Sequence, residues 1–374
     1  MNGTHLKKII IIASCCVLAI AAIIVACLAT LKPKESTVEQ DVTTPTATVV
    51  ATPTPTPEPT VNPNEGKVKS LLTGEYITEK KAKQRPFAVM INNIEYANLR
   101  QEGTSQMDIL YEALAEGGIT RMLGVFQGTS KVKNVGSVRS ARHYYVSFAD
   151  EWDAIYCHFG HTPYALNKID KLGTDNLSGL SAIGGVVYRR VSGHAAPHNV
   201  FATGKTMLKG AKKMGYRTKI NESKVAKHFE FYETDTDLTA DNTTKYVKLP
   251  FSAYSTTTLK YDKKTKEYKK YEYGTKHKDH RNNKQLSFKN VIVQIVKETN
   301  KDRNGYQHLH LNEGGKGYYI TNGKRMKIYW EKSESKGTMT YYDMDGNVLT
   351  INPGKTYIAA YPKNRKSMIS FKKK

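Results

Sequence analysis

The sequence predicts an α+β / α/β fold: an α/β domain followed by a β-rich domain, carried on an N-terminal single-pass anchor and a disordered Thr/Pro stalk. Three observations carry that expectation. Ile9 to Leu31 is an uncharged run bounded by Lys7-Lys8 and Lys32. Residues 33–66 hold seven of the chain's thirteen prolines, interleaved with threonine. From Lys67 onward short apolar runs alternate with helical patterns, and beyond about Asn221 helical periodicity is lost. A length of 374 residues suits two folded parts rather than one.

The first run has 23 residues. At about 1.5 Å rise they cover roughly 34 Å, enough for a bilayer core of about 30 Å. Basic residues on its N-terminal side orient the remainder outward. Ile24-Val25-Ala26-Cys27 resembles a bacterial lipobox, which would make Cys27 a lipidation site. The apolar continuation Leu28 to Leu31 suits a retained anchor instead. Both alternatives place the body at the cell membrane, on its extracytoplasmic face. Alternating Thr-Pro favours extended polyproline II geometry, a spacer of roughly 100 Å if fully extended, or else a linker of no defined reach. Cys157 is the one cysteine beyond this segment, so no disulfide can form within the body. Its place in Ala154-Ile155-Tyr156-Cys157 reads as a buried, inert thiol.

The α/β domain is expected over residues 67–222. Phe87 to Ile91 follows Pro86 as a short apolar run and reads as a buried strand. Ser105 and Asp108 have capping-box spacing, which predicts a helix through Ile109, Leu110, Ala113 and Leu114 that stops at Gly117-Gly118. Met122 to Phe126 reads as a second strand, Ser140 to about Asp150 as a helix with an aromatic stripe, and Ala154 to Phe159 as a third strand. Thr162-Pro163 supplies an N-cap and a proline at N1 for a helix from Tyr164 to Leu172. Thr203 to Met214 reads as a lysine-faced helix closed by Gly215.

The β-rich domain is expected over residues 223–374. Leu259–Asp262 and Tyr268–Tyr273 flank a polar turn, and Val291 to Val296 reads as a buried strand. Asn322-Gly323 and Asp345-Gly346, each between apolar runs, signal two further hairpins.

Several strings together resemble the YerB-like group of bacterial envelope proteins, whose paired domains carry unknown-function labels. They are Arg85 to Asn93, Asp108 to Arg121, Gly136 to Arg142, Ala196-Pro197-His198-Asn199, Tyr318 to Trp330 and Asn352 to Thr356. The resemblance covers about residues 68–370. It implies a Gram-positive, membrane-anchored or lipoprotein setting and a two-part architecture, and it supplies no activity.

The formal net charge of the chain is +23. Residues 1–66 contain four lysines and five acidic residues, which leaves 53 basic and 29 acidic side chains in the folding part, a net of +24. Such an excess favours an anionic partner. Outside the membrane that means an anionic cell-wall polymer or an envelope protein, with no nucleic acid expected. Lysines interleaved with tyrosines from Leu259 to Lys284 read as a solvated face.

Candidate chemistry gathers in the α/β domain. On the predicted helix Asp108, Glu112 and Glu116 recur at i, i+4 and i+8 and share one face. Arg121, Arg139 and Arg142 are their candidate counter-charges. Arg139-Ser140-Ala141-Arg142, at the entry to a helix, has the donors of an anion site. Asn92, Asp108, Glu112, Arg121, Arg139, Ser140 and Arg142 are therefore ligand-binding candidates. Glu116, His158 and His198 are catalytic candidates, should the chain be an enzyme acting on a wall or sugar-linked substrate. The alternative is an ion network that only ties elements together. No metal or cofactor is expected: Pro197 rules out a helical His194/His198 pair, and no H-E-x-x-H is present. Gly204-Lys205-Thr206 is not a P-loop, because Asn199 stands where its first glycine belongs.

Overall fold

The computed structural model describes residues 64–225, 228–240, 242–332 and 337–373. The expected anchor, Cys27 and the stalk up to residue 63 lie outside the described residues. No helix among the described residues is long and apolar enough to cross a membrane.

The fold is mixed α/β, rich in strands with few helices. Its centre is a ten-stranded sheet. In chain order its strands are β1 (Phe87–Asn92), β2 (Ile109–Leu114), β3 (Thr120–Phe126), β4 (Ile155–His158) and β5 (Asn176–Ser178). After β6 (Tyr246–Pro250), β7 (Thr256–Asp262) and β8 (Glu267–Glu272), which belong to a second sheet, β9 (Asn290–Val296) returns to the first. A hairpin, β10 (Glu298–Asn300) and β11 (Gln307–Leu309), precedes β12 (Gly315–Thr321), β13 (Lys324–Lys332), β14 (Met339–Tyr342) and β15 (Thr356–Pro362). The spatial order is β14-β13-β12-β9-β15-β2-β3-β1-β4-β5. Strand β15 lies parallel to both β9 and β2, so the sheet runs uninterrupted across residue 222.

The central strands are largely apolar because both faces of the sheet are covered. β1, β2, β3, β9 and β15 are buried at every position. One face packs under α1 (His143–Asp150) and α2 (Pro163–Leu172) through Tyr144, Tyr145, Phe148, Ala165 and Ile169. The other packs against α3 (Gly204–Lys213) and the second sheet through Met207, Val247, Leu249, Leu259 and Tyr268. That sheet is built on β6, β7 and β8, with β16 (Ser370–Lys372) on its outer edge. Cys157 is buried between these layers, and burial pushes its thiol well above the ordinary range.

Most local expectations hold. Thr162 caps α2, its Oγ1 accepting from Ala165 N at 3.2 Å. Thr203 caps α3 in a reciprocal capping box with Thr206. The turn at Asn322-Gly323 joins β12 to β13 with positive φ at both residues. Gly204 has a packing reason: a Cβ there would lie 1.8 Å from the Thr129 carbonyl oxygen.

One local expectation fails here and another holds only in part. Asp108–Glu116 is not a helix, because Ile109 to Leu114 is a strand held between β15 and β3. Six residues buried on both faces, with Ile109 and Tyr111 among them, suit a central strand better than a surface helix. Ser105 is no N-cap either. Its N and Oγ both donate to the Asp279 carboxylate, at 3.0 and 2.7 Å, while Asp108 accepts Gln127 N at 2.6 Å. The hairpin at Asp345-Gly346 shrinks to one bridge, Tyr342 with Val348. The Asp343 carboxylate takes the N–H groups of Asp345 and Asn347, both at 2.9 Å, and Thr350–Ile351 pairs with Glu230–Phe231 instead.

Candidate functional site

Strands β1, β2, β4, β9 and β15 point the same way, so their carboxyl ends share one edge of the sheet. In sheets of this kind ligands commonly bind at that edge. Here the edge carries Asn92 at the end of β1, Glu116 just past β2, and His158 at the end of β4. Arg121 near the start of antiparallel β3 lies opposite Asn92.

Helix α1 brings the remaining arginines to this edge. Its aromatic stripe docks on the end of β2: the Tyr144 hydroxyl donates to Leu114 O at 2.6 Å, and the Tyr145 hydroxyl accepts Ala113 N at 3.0 Å. The helix begins at His143, later than expected, with Arg142 as N-cap. Residues Arg139 to Ala141 are bound by their backbone instead: Arg139 N to Met90 O, Phe159 N to Arg139 O and Ala141 N to Gly160 O, at 3.1, 3.0 and 2.9 Å. Gly160, at φ +89°, lies so close to Ser140 that a Cβ would stand 2.6 Å from its Oγ.

The result is three guanidinium groups around one carboxylate. Arg142 grips both Glu116 oxygens, through Nε and through Nη2 at 2.7 Å, and Arg121 Nη2 stands 3.6 Å from the same carboxylate. Arg121 Nη1 donates to Ser140 O at 2.6 Å. Arg139 Nη1 donates to Pro197 O at 3.2 Å. The Nε atoms of Arg121 and Arg139 are buried and have no hydrogen-bond partner. Burial alone would raise the Glu116 carboxyl, but the Arg142 hydrogen bonds and the two positive charges bring it below the ordinary range. Burial and neighbouring Arg142 lower Arg121 to about 10. Arg139 is lowered by the same two causes.

His198 is half-buried beside this cluster. Asn92 Nδ2 donates to its Nδ1 at 2.6 Å, which leaves the ring proton on Nε2. Burial and Arg139 lower its pKa, so it is neutral at pH 7. His158 is fully buried, with Nδ1 at 2.8 Å from Gly160 O and Nε2 at 3.2 Å from Asn176 Oδ1. Nδ1 is thus engaged by the Gly160 turn and Nε2 by Asn176 on β5.

The structure thus brings together Glu116, Arg121, Arg139, Ser140 and Arg142, with Asn92 and His198 adjoining. Asp108 and Glu112 lie elsewhere, because in a strand they are spread along its length. Asp108 sits at the opposite end of β2, 3.7 Å from Lys81 Nζ, and burial raises its carboxyl. Glu112 is fully buried against the second sheet, 3.1 Å from Lys270 Nζ, and accepts hydrogen bonds from Asn93, Thr120, Thr257 and Tyr357. Lys270 also meets Glu272 at 2.5 Å and His277 Nδ1 at 3.2 Å. Burial, and Glu112 beside it, raise Glu272 to about 7 despite Lys270. The lysine-rich stretch from Leu259 to Lys284 reads as a solvated face, yet Lys270 within it is buried. The signal for this is strict alternation in β8, where Tyr268, Lys270 and Glu272 all face inward.

The chain matches the family model "Protein of unknown function (DUF3048) N-terminal domain" over residues 72–217 and the corresponding C-terminal domain over residues 247–358. It is 30% identical over 299 residues to YerB of Bacillus subtilis (strain 168), named as a candidate lipoprotein, covering 79% of this chain and 87% of that one. The crystal structure of Bacillus subtilis YerB superposes with a TM-score of 0.70 at 30% identity, covering 82% of this chain and all of the other.

Proposed function

The chain belongs to the DUF3048 family of YerB-like proteins, and from that premise we propose that it is a membrane-tethered, extracytoplasmic protein that binds an anionic component of the cell envelope. The observation that carries this reading is the excess of guanidinium over carboxylate at the carboxyl end of the sheet, where Arg139 is half-buried. Glu116 is shared by Arg121 and Arg142, and Arg139, half-buried, has no carboxylate of its own among the described residues. Such a cluster suits a phosphate or carboxylate group. The net charge of +24 over residues 67–374 would attract a polyanion from a distance.

Sedimentation of the full chain with isolated cell wall tests this. Binding at low ionic strength should fall with added salt, and Arg139→Met should weaken it without unfolding the protein. No co-sedimentation at low ionic strength would remove the polymer reading and leave an envelope protein as the partner. Tethering is tested separately by palmitate labelling, expected to be lost in Cys27→Ser if the chain is a lipoprotein.

One observation favours an enzyme as the second reading. His198 is neutral, oriented by Asn92, and stands beside Arg139, so its Nε2 side could exchange a proton with a bound anionic substrate. Wall-fragment turnover that disappears in His198→Gln would support it.

A further inference from the structure

A second basic site lies between α1 and α2 on one side and the β10–β11 hairpin on the other. It is a pocket of about 500 Å³ whose apolar wall includes Tyr144, Leu309 and Leu311. His143 Nε2 lies 3.0 Å from His308 Nδ1, with the rings stacked 5.2 Å apart at 17°. A contact of that length between two ring nitrogens needs one donor and one acceptor, so at least one of the two rings is neutral. Burial, His308 and the nearby lysines hold His143 down to about 4.

Three lysines stand around these rings, Lys168 with Asp150 and Glu151 near enough to act on its charge. Lys168 and Lys171 project from α2 and Lys301 from the hairpin. None of the three has an ion-pair partner among the described residues. Lys332, on the same pocket, is already held by Glu151 at 2.5 Å. Glu313 on the rim is occupied by Lys297 at 3.2 Å and His310 at 2.7 Å. Lys301 Nζ stands 5.1 Å from the centroid of Tyr164, whose hydroxyl is fixed by Asp302 at 2.9 Å.

A chain of ring contacts links the pocket to the arginine site. The Arg142 guanidinium lies 5.7 Å from the Tyr306 ring, and Tyr306 meets Tyr164 edge-on at 6.0 Å. Two aromatic rings in contact therefore bridge Arg142 and Lys301.

We propose that this pocket binds an anionic sugar unit, its phosphate or carboxylate on Lys168, Lys171 and Lys301 and its ring against Tyr164 and His308. The proposal rests on the reading of the chain as a binder of anionic envelope material and names the chemistry of one repeating unit. Cations alone would take any anion. The aromatic wall adds a preference for an anion that carries a ring.

Calorimetric titration of the full chain in detergent at low ionic strength tests the proposal. The probes are N-acetylglucosamine 1-phosphate, glycerol 3-phosphate and inorganic phosphate. The sugar phosphate should bind at least about tenfold more tightly than inorganic phosphate. The double variant Lys168→Met/Lys301→Met should lose about tenfold or more for every probe. Tyr164→Leu should abolish only the advantage of the sugar phosphate. Unchanged thermal melting shows that the variants are folded. Absence of binding by the wild-type chain, or equal binding by the folded double variant, would overturn the pocket. Wall sedimentation that persists when the sugar phosphate fails to bind leaves the polymer reading intact and removes this site alone. Binding of the sugar phosphate without wall sedimentation supports the pocket as a site for a soluble sugar phosphate and removes the polymer.

Discussion

Arg142 and Lys270 show how differently a buried cation can be read from sequence. Arg142 was legible because it falls at the entry to a helix with an aromatic stripe, and that stripe places its fork on Glu116. Lys270 was not, since its lysine-rich neighbourhood resembles a solvated face and its partner Glu112 is 158 positions away in the chain. Yet Lys270 has no exposed surface and holds two carboxylates. Lys270→Met should therefore cost about 3–5 kcal/mol, since it strands Glu112 and Glu272 in a dry interface. Adding Glu112→Gln and Glu272→Gln should restore part of that loss, and urea unfolding of the single and triple variants measures both. His228 gives a pH effect of known sign. Its ring is buried and stacked 4.2 Å from Trp152, and burial lowers it to about 3. The unfolded chain takes up that proton near pH 6.5 and the folded chain only near 3, so stability present above pH 6.5 declines as pH falls between those values. Melting temperature against pH should flatten over that range in His228→Phe.

At the scale of elements, the segment Asp108–Glu116 explains most of the difference between expectation and structure. Apolar residues at 109, 110, 113 and 114 satisfy a helical period, but a strand buried on both faces produces the same run. What decided it was non-local: β15, some 240 residues later, supplies the pairing. By contrast, α2 and α3 were readable because caps and stops are local signals. The turn after β4 is also a local device, and its geometry is exacting. Gly160→Ala would need φ near +89° and would press on Ser140 Oγ, so it should cost about 1–3 kcal/mol and displace the Arg139–Arg142 segment. The joint readout is a lower urea midpoint together with weaker wall sedimentation. The hairpin and α1 meet through His143 and His308, and folded His143 protonates only near 4 against about 6.5 when unfolded. Contact between these elements should thus weaken as pH falls from 6.5 toward 4, seen as earlier proteolysis within 298–309.

For the whole molecule, the two segments matched by family models are also two contributors to a single sheet. β2 from the first pairs with β15, at the C-terminal edge of the second. Cutting at residue 222 would leave β2 with a long, apolar, unpaired edge, which is an aggregation template. Residues 64–222 expressed alone should be insoluble, and co-expression with 223–374 should recover soluble material; a soluble, cooperatively melting first half would refute this. Strand β15 also has a consequence in time. It fills a central place in the sheet but occupies residues 356–362 of 374. A chain delivered N-terminus first, from a ribosome or through a membrane pore, holds both flanking strands ready and cannot join them until residues 356–362 emerge. Completion of the sheet then doubles as a check that synthesis has passed that point. A chain stopped before residue 356 would lack the strand that closes the core, and proteases would find it open.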